Sequence, residues 1–331
     1  MSKLISIIIP VYNEEDNIER TFAELQRVTG AIEGYDFEFI FTDNRSTDGT
    51  FAKLAVLARD HANVRVARFA RNFGFHKSVL TGYRLANGDA AIQVDADLQD
   101  PPSLFVDFIR KWEEGHDVVV GIRRKRIEHG LLVQGRKMYY RLLAKLDGPH
   151  LIADAGDFRL IDKSVIEALR RINDAHPYLR GLISSLARNQ TGIVYDRNER
   201  LHGQSKFPIG NLIRMGTEGI IAHSRLPLNF AFYIGMLTPL LALVCILFFT
   251  ISRLVWSAEW PPGLAITLVL ILASIGLNGL FMGILGAYIG RIYDQVRQRP
   301  TTIVADMLNF DGVPEGVEDH SILPPDRHAP R

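Results

Sequence analysis

The chain has 331 residues, with 38 lysines and arginines against 37 aspartates and glutamates, a formal net charge of +1. That balance excludes a nucleic-acid partner held by bulk charge, and a single cysteine, Cys245, excludes an internal disulfide or a cysteine-rich zinc site. Hydrophobic residues make up 47%, but their uneven placement divides the chain into a mixed region over 1–205, amphipathic segments over 206–227, two apolar runs within 228–290 and a polar tail over 291–331.

Met1-Ser2-Lys3-Leu4 runs straight into a strand-like stretch with no signal-peptide pattern, so the first region is expected to stay in the cytoplasm. The run from Leu4 to Ile9 reads as a buried strand and Glu15–Thr29 as a helix. Strand signals recur at Phe37–Phe41, Val64–Phe69, Ala90–Val94 and Asp117–Val120. Helical stretches at Thr50–Arg59, His76–Ala86 and Pro102–Trp112 separate them. Short apolar runs alternating with helices of this length predict βαβ units and a mostly parallel sheet. In such sheets ligands sit at the carboxyl ends of the strands.

Phe230–Ile251 holds 22 residues without a charge and Gly263–Gly290 holds 28. Each exceeds the roughly 20 residues that cross a bilayer, and the alternative is a pair of buried core helices. Arg214 and Arg225 precede the first run, while Arg291, Arg297 and Arg299 follow the second. The positive-inside rule then puts both termini in the cytoplasm, with the chain a multi-pass protein of the inner membrane. Gly279, Gly283, Gly286 and Gly290 share one helix face with two G-x-x-x-G steps, a pattern that packs against another helix, either the first span or a second subunit in a homo-oligomer such as a tetramer. Ile209, Leu212, Ile213, Gly216 and Ile220 follow helical spacing and read as an interfacial helix, or as one packed on the soluble domain.

The first strand ends in Pro10-Val11-Tyr12-Asn13-Glu14, which is neither G-x-G-x-x-G nor a P-loop, so a nicotinamide enzyme and a P-loop ATPase are poor readings. The fourth strand instead runs into Asp95-Ala96-Asp97-Leu98-Gln99-Asp100-Pro101-Pro102. In extended chain, residues two apart point the same way. Asp95, Asp97 and Gln99 would then form a row of hard oxygen ligands suited to Mg²⁺ or Mn²⁺ beside a diphosphate, whose negative charge grows as it leaves. The alternative is a solvated acidic turn that caps the next helix.

This stretch resembles the metal-binding motif of family-2 glycosyltransferases with the GT-A fold, and is most similar to the polyisoprenyl-phosphate group that includes dolichyl-phosphate mannose synthase. Ile7–Glu14, Asp43–Thr50, Arg71-Asn72-Phe73-Gly74, Gly156–Leu160 and Arg200–Phe207 match further family segments in order, covering about residues 4–230. The resemblance implies that Pro10, Tyr12, Glu14, Asp43 and Asn44, together with Asp95, line the nucleotide site, and that Asp157 is the catalytic base or a positioning carboxylate, acting with Asp97. The family usually carries two acidic residues where this chain has Asp43-Asn44, the second of which reads the base. Arg45 is also unusual there, and either approaches an anion or faces solvent. An anionic acceptor calls for cations, and Arg123, Arg200 and Lys206 are the candidates. His76 and His202 read as polar loop residues.

The implied activity is inverting, metal-dependent transfer of a sugar from a nucleotide-sugar donor, UDP-glucose or a related UDP-sugar, to a polyisoprenyl phosphate such as undecaprenyl phosphate at the cytoplasmic membrane face. The alternatives are a processive polysaccharide synthase, whose Q-x-x-R-W motif is absent, and a non-catalytic membrane scaffold with the same fold.

Overall fold

A computed structural model describes residues 2–124, 155–197, 227–237 and 263–310, with a few isolated positions besides. The chain divides into two units, Met1–Lys206 with Gln298–Arg331, and Phe207–Arg297.

The first unit is built on β1 (Lys3–Val11), whose residues from Ile5 onward are buried on both faces. A strand that is apolar on both sides needs helices above and below it, which the chain supplies in alternation. It continues through α1 (Ile18–Gly30), β2 (Tyr35–Asp43), α2 (Thr50–Asp60), β3 (Val64–Phe69), α3 (Phe75–Leu85) and β4 (Ala90–Gln93). A 3₁₀ turn at Pro102–Leu104 leads into α4 (Phe105–Glu113), then β5 (Val118–Arg123). From residue 155 onward come β6 (Ala155–Asp162), α5 (Lys163–Arg171), α6 (Leu179–Leu186) and β7 (Gln190–Tyr195). The Asp162 side chain caps α5 by accepting from Ser164 N–H at 2.8 Å.

The sheet order is β7-β5-β6-β4-β1-β2-β3-β8, where β8 (Val304–Leu308) is the chain's return to the sheet. Strands β1 to β4 are mutually parallel, as are β5 and β7. β6 runs antiparallel between β4 and β5, and β8 antiparallel along β3. The mixed α/β sheet expected from the alternation is therefore present, with two reversed strands that periodicity does not reveal.

The β8 pairing draws part of the polar tail onto the first unit. Thr302 Oγ1 lies 2.8 Å from Thr81 Oγ1, and Asn309 Nδ2 donates to the carbonyls of Ala58 and Val64. β8 covers what would otherwise be an open edge on β3.

In the second unit, α7 (Pro227–Leu237) is a short apolar helix, and the remainder of the first expected span lies largely outside the described residues. α8 (Leu264–Val296) contains Ser274–Val296, the one segment among the described residues long and apolar enough to cross a membrane, with none of it buried. Among the described residues, nothing lies within 4 Å of the positions that Cβ atoms on Gly279, Gly283, Gly286 and Gly290 would take. The amphipathic region over 206–226 also lies outside the described residues.

One close approach sets the height of α3 above the sheet. A Cβ on Gly82 would stand 2.3 Å from Ile8 Cγ2, in the middle of β1. Gly82→Ala is expected to lower stability by about 1–3 kcal/mol through overpacking, measured as a shift in the urea midpoint at unchanged slope.

Candidate active site

β1 lies between β4 on one side and β2 on the other, so the strand order reverses there and the loops leaving β1, β2 and β4 diverge. That is where a doubly wound sheet opens a crevice. A cleft of about 340 Å³ sits there, lined by Pro10, Tyr12, Glu14, Asn44, Asp95 and Asp97, with Asn72, Gly74, Phe75 and Ser78 closing one flank.

The β1 and β2 loops are joined by hydrogen bonds. Asn13 N–H donates to Ser46 Oγ at 2.9 Å, Thr47 N–H to Asn13 Oδ1 at 2.8 Å, and Glu14 N–H to Thr50 Oγ1 at 2.9 Å. Gly49 N–H donates to Glu15 Oε2 at 2.6 Å. Asn13 and Arg45 both take left-handed backbone, at φ 55° and 63°. Arg45 is exposed.

Asp43 is fully buried behind the cleft and does not line it. Its Oδ1 accepts from Ser46 N–H at 2.9 Å and its Oδ2 lies 3.3 Å from Arg68 Nε, so it shapes the loop that carries Asn44. Asn44 reaches the cleft, with its Oδ1 accepting from Phe73 N–H at 2.8 Å.

The expected row of Asp95, Asp97 and Gln99 is broken. The chain turns at Ala96–Asp97 and Leu98 adopts φ 53°, which ends the two-residue alternation that the row needed. Asp95 and Asp97 remain on the cleft, whereas Gln99 is buried off it and donates its N–H to Asp97 Oδ1 at 3.1 Å.

Asp157 enters from β6. Gln93 pairs with Arg159 in the antiparallel β4–β6 ladder, so continuing that register by two residues brings Asp157 abreast of Asp95. Arg180, on α6, holds Asp157 bidentately at 2.9 and 2.7 Å. Burial pushes the Asp157 carboxyl up, but the Arg180 hydrogen bonds and charge, with Arg159 and His76, outweigh it and hold the group down at about 2.

Asp95 has the opposite balance. Burial, then the charges of Asp100, Asp97 and Asp157, push its carboxyl up to about 7, against one hydrogen bond from Gln93 Nε2 at 2.8 Å. Among the described residues no lysine or arginine pairs with it. Two carboxylates on a polar cleft, one of them held by burial and its acidic neighbours well above its ordinary range, fit Mg²⁺ or Mn²⁺, which binds through one or two carboxylates and takes its remaining oxygens from water and phosphate. No group of three acidic, histidine or cysteine ligands occurs among the described residues.

Asp100, only 1% exposed, anchors the far end of the same loop. It receives Tyr195 Oη, Arg123 Nη2 at 3.1 Å and Arg197 Nε at 3.3 Å. Arg123, a candidate acceptor contact, is thus committed to the loop that carries Asp95 and Asp97. Arg200 and Lys206 lie outside the described residues. Arg180, Tyr195 and Arg197 lie in no motif that marks them in the sequence, whereas Asp100 lies inside the acidic stretch itself.

A family model described as Glycosyl transferase family 2 matches residues 6–170. The uncharacterized glycosyltransferase YkcC of Bacillus subtilis is 36% identical over 307 residues, 90% of this chain and 92% of that protein. The bactoprenol glucosyl transferase of Shigella phage SfII is 33% identical over 303 residues, 91% and 97% of the two chains. Among solved structures, glucosyl-3-phosphoglycerate synthase from Mycobacterium tuberculosis, crystallised with Mn²⁺, UDP-glucose and phosphoglyceric acid, aligns with 66% of this chain and 78% of that one, at 21% identity and a TM-score of 0.47.

The raised Asp95 carboxyl has a stability signature. Between its unfolded value of 3.8 and its folded value of about 7, the folded protein keeps a proton that the unfolded chain has released. Stability of the metal-free protein therefore falls as pH rises through that window. Thermal unfolding across it should show the decline in wild type, and Asp95→Asn should flatten it; an equal slope in both would count against the assignment.

Proposed function

This chain belongs to glycosyl transferase family 2, and we propose that it transfers glucose, with inversion, from UDP-glucose to a polyisoprenyl phosphate such as undecaprenyl phosphate at the cytoplasmic face of the inner membrane. It is a glycosyltransferase. The observation that carries the finer reading is that Asp95 and Asp97 line the cleft while the Asp157–Arg180 pair stands beside Asp95 on the neighbouring strand, in a chain that also carries the apolar segment Ser274–Val296. The bactoprenol relatives support a lipid acceptor.

The strand order suggests how a donor lies. β2, β1, β4 and β6 stand side by side, presenting Asn44, then Pro10 and Tyr12, then Asp95 and Asp97, then Asp157. A nucleoside over β1 and β2 leaves the diphosphate at Asp95 and Asp97 and directs the sugar toward Asp157. Mg²⁺ or Mn²⁺ held by Asp95 and Asp97 would offset the charge of the leaving diphosphate. The acceptor approaches from the Asp157 side, where Arg180 supplies positive charge, and Arg200 and Lys206 are proposed to assist.

A phosphate monoester has a second pKa of about 6, so at neutral pH the acceptor arrives mostly as a dianion. Its oxygen attacks the anomeric carbon, the bond from that carbon to the diphosphate oxygen breaks, and UDP leaves with the electron pair. No proton needs to move. A carboxyl held at about 2 is a weak base, so Asp157 is assigned as a positioning residue that orients Arg180.

Purified protein incubated with UDP-glucose, Mg²⁺ and undecaprenyl phosphate should form a glucosylated lipid; failure with every common nucleotide sugar would reject the reading. Asp97→Asn should lower kcat by about 10²-fold or more, without loss of the thermal transition. Asp157→Asn should lower kcat/KM yet leave the acidic limb of the pH profile near the acceptor's own value of about 6. Disappearance of that limb would make Asp157 the base instead.

A further inference from the structure

We infer that Asn44 recognises the donor's nucleobase as a hydrogen-bond donor, through Nδ2, so that this contact depends on an acceptor atom of the base and not on a ring N–H. The inference rests on the reading of the cleft as a nucleoside diphosphate site.

Asn44 is 5% exposed and lines the cleft. Its backbone is fixed, since its N–H donates to Val11 O at 3.0 Å and extends the β1–β2 ladder beyond the strand ends. Its side chain is fixed too. Phe73 N–H can only donate, so the atom it meets at 2.8 Å must be the amide oxygen. The amide therefore has one orientation, with Oδ1 turned to the β3–α3 loop. The NH₂ group is left for the cleft, and among the described residues no group accepts from it.

The position of the base follows from the sheet. Asp95 and Asp97 take the diphosphate end and Asp157 lies beyond them on β6, so the nucleoside extends the other way, over β1 toward the carboxyl end of β2. Asn44 stands at that end.

The polarity matters because pyrimidines differ in it. Uracil offers O2 and O4 as acceptors around a donating N3–H. Cytosine offers O2 and N3 as acceptors beside a donating amino group. A carboxylate at position 44 would still accept from Phe73 N–H with one oxygen. Its other oxygen would then demand an N–H, which uracil's N3 supplies and which cytosine's N3 opposes with a lone pair. The amide nitrogen instead finds an acceptor on either base, so this contact separates them poorly.

Calorimetric titration of the detergent-solubilised full chain with UDP and with CDP, in Mn²⁺, tests this. The wild type should bind the two within about ten-fold, and Asn44→Asp should shift the ratio toward UDP by about ten-fold or more, the size expected when a buried polar atom loses its partner. A shift smaller than that in a variant that keeps its thermal transition overturns the inference while leaving the nucleotide site standing. If Asn44→Asp loses its transition, the wild-type ratio decides, and a preference for UDP beyond about ten-fold overturns it. If neither nucleotide binds, the reading of the cleft fails and takes the inference with it.

Discussion

Four carboxylates meet where the carboxyl end of β4 lies beside the amino end of the antiparallel β6, and each has its charge handled differently. Asp100 is covered by Arg123, Arg197 and Tyr195, and Asp157 is gripped by Arg180. Asp97 takes a backbone N–H, and Asp95 takes only an amide while its neighbours repel it. Like charges packed this closely raise the cost of ionising the least compensated member. The protein thus spends its arginines on the two outer carboxylates, which keeps the loop in place. Asp95 has no paired lysine or arginine among the described residues, and it faces, with Asp97, the cleft that a divalent ion and a diphosphate suit.

The loops that build this site carry the backbone conformations least comfortable for their residues. Asn13, Arg45 and Leu98 all have positive φ, one in each of the loops leaving β1, β2 and β4. A left-handed leucine costs of order 1–3 kcal/mol and persists only where the surroundings over-determine it. Here the hydrogen bonds joining Asn13 to Ser46 and Thr47, and Asp97 to Gln99, do so. The strain turns each chain away from its strand direction just where a ligand must reach the backbone.

Much of the first unit was readable from apolar runs. The buried strands and intervening helices fall within a few residues of the expected bounds, because hydrophobic spacing is a local property. The Asp95–Asp97 motif was readable for the same reason: it follows a strand directly. Gln99 was misplaced in the metal row because alternation was carried through a turn that the left-handed Leu98 introduces. Asp43 was read as a nucleotide contact, yet burial commits it to Ser46 and Arg68. Arg123 looked available at a strand end but closes on Asp100, 23 residues earlier in the chain.

What the sequence determined by itself was the kind of chemistry and the strand ends at which its candidate residues lie. Residue type, local period and motif order are all encoded within short windows. What only the tertiary structure decided was which charges meet. The antiparallel entry of β6 sets Asp157 abreast of Asp95, the folding of α6 sets Arg180 against Asp157, and the return of β8 closes the edge of β3. Each joins segments far apart along the chain through strand register and packing, and long-range pairing leaves no periodic trace in the residues it connects.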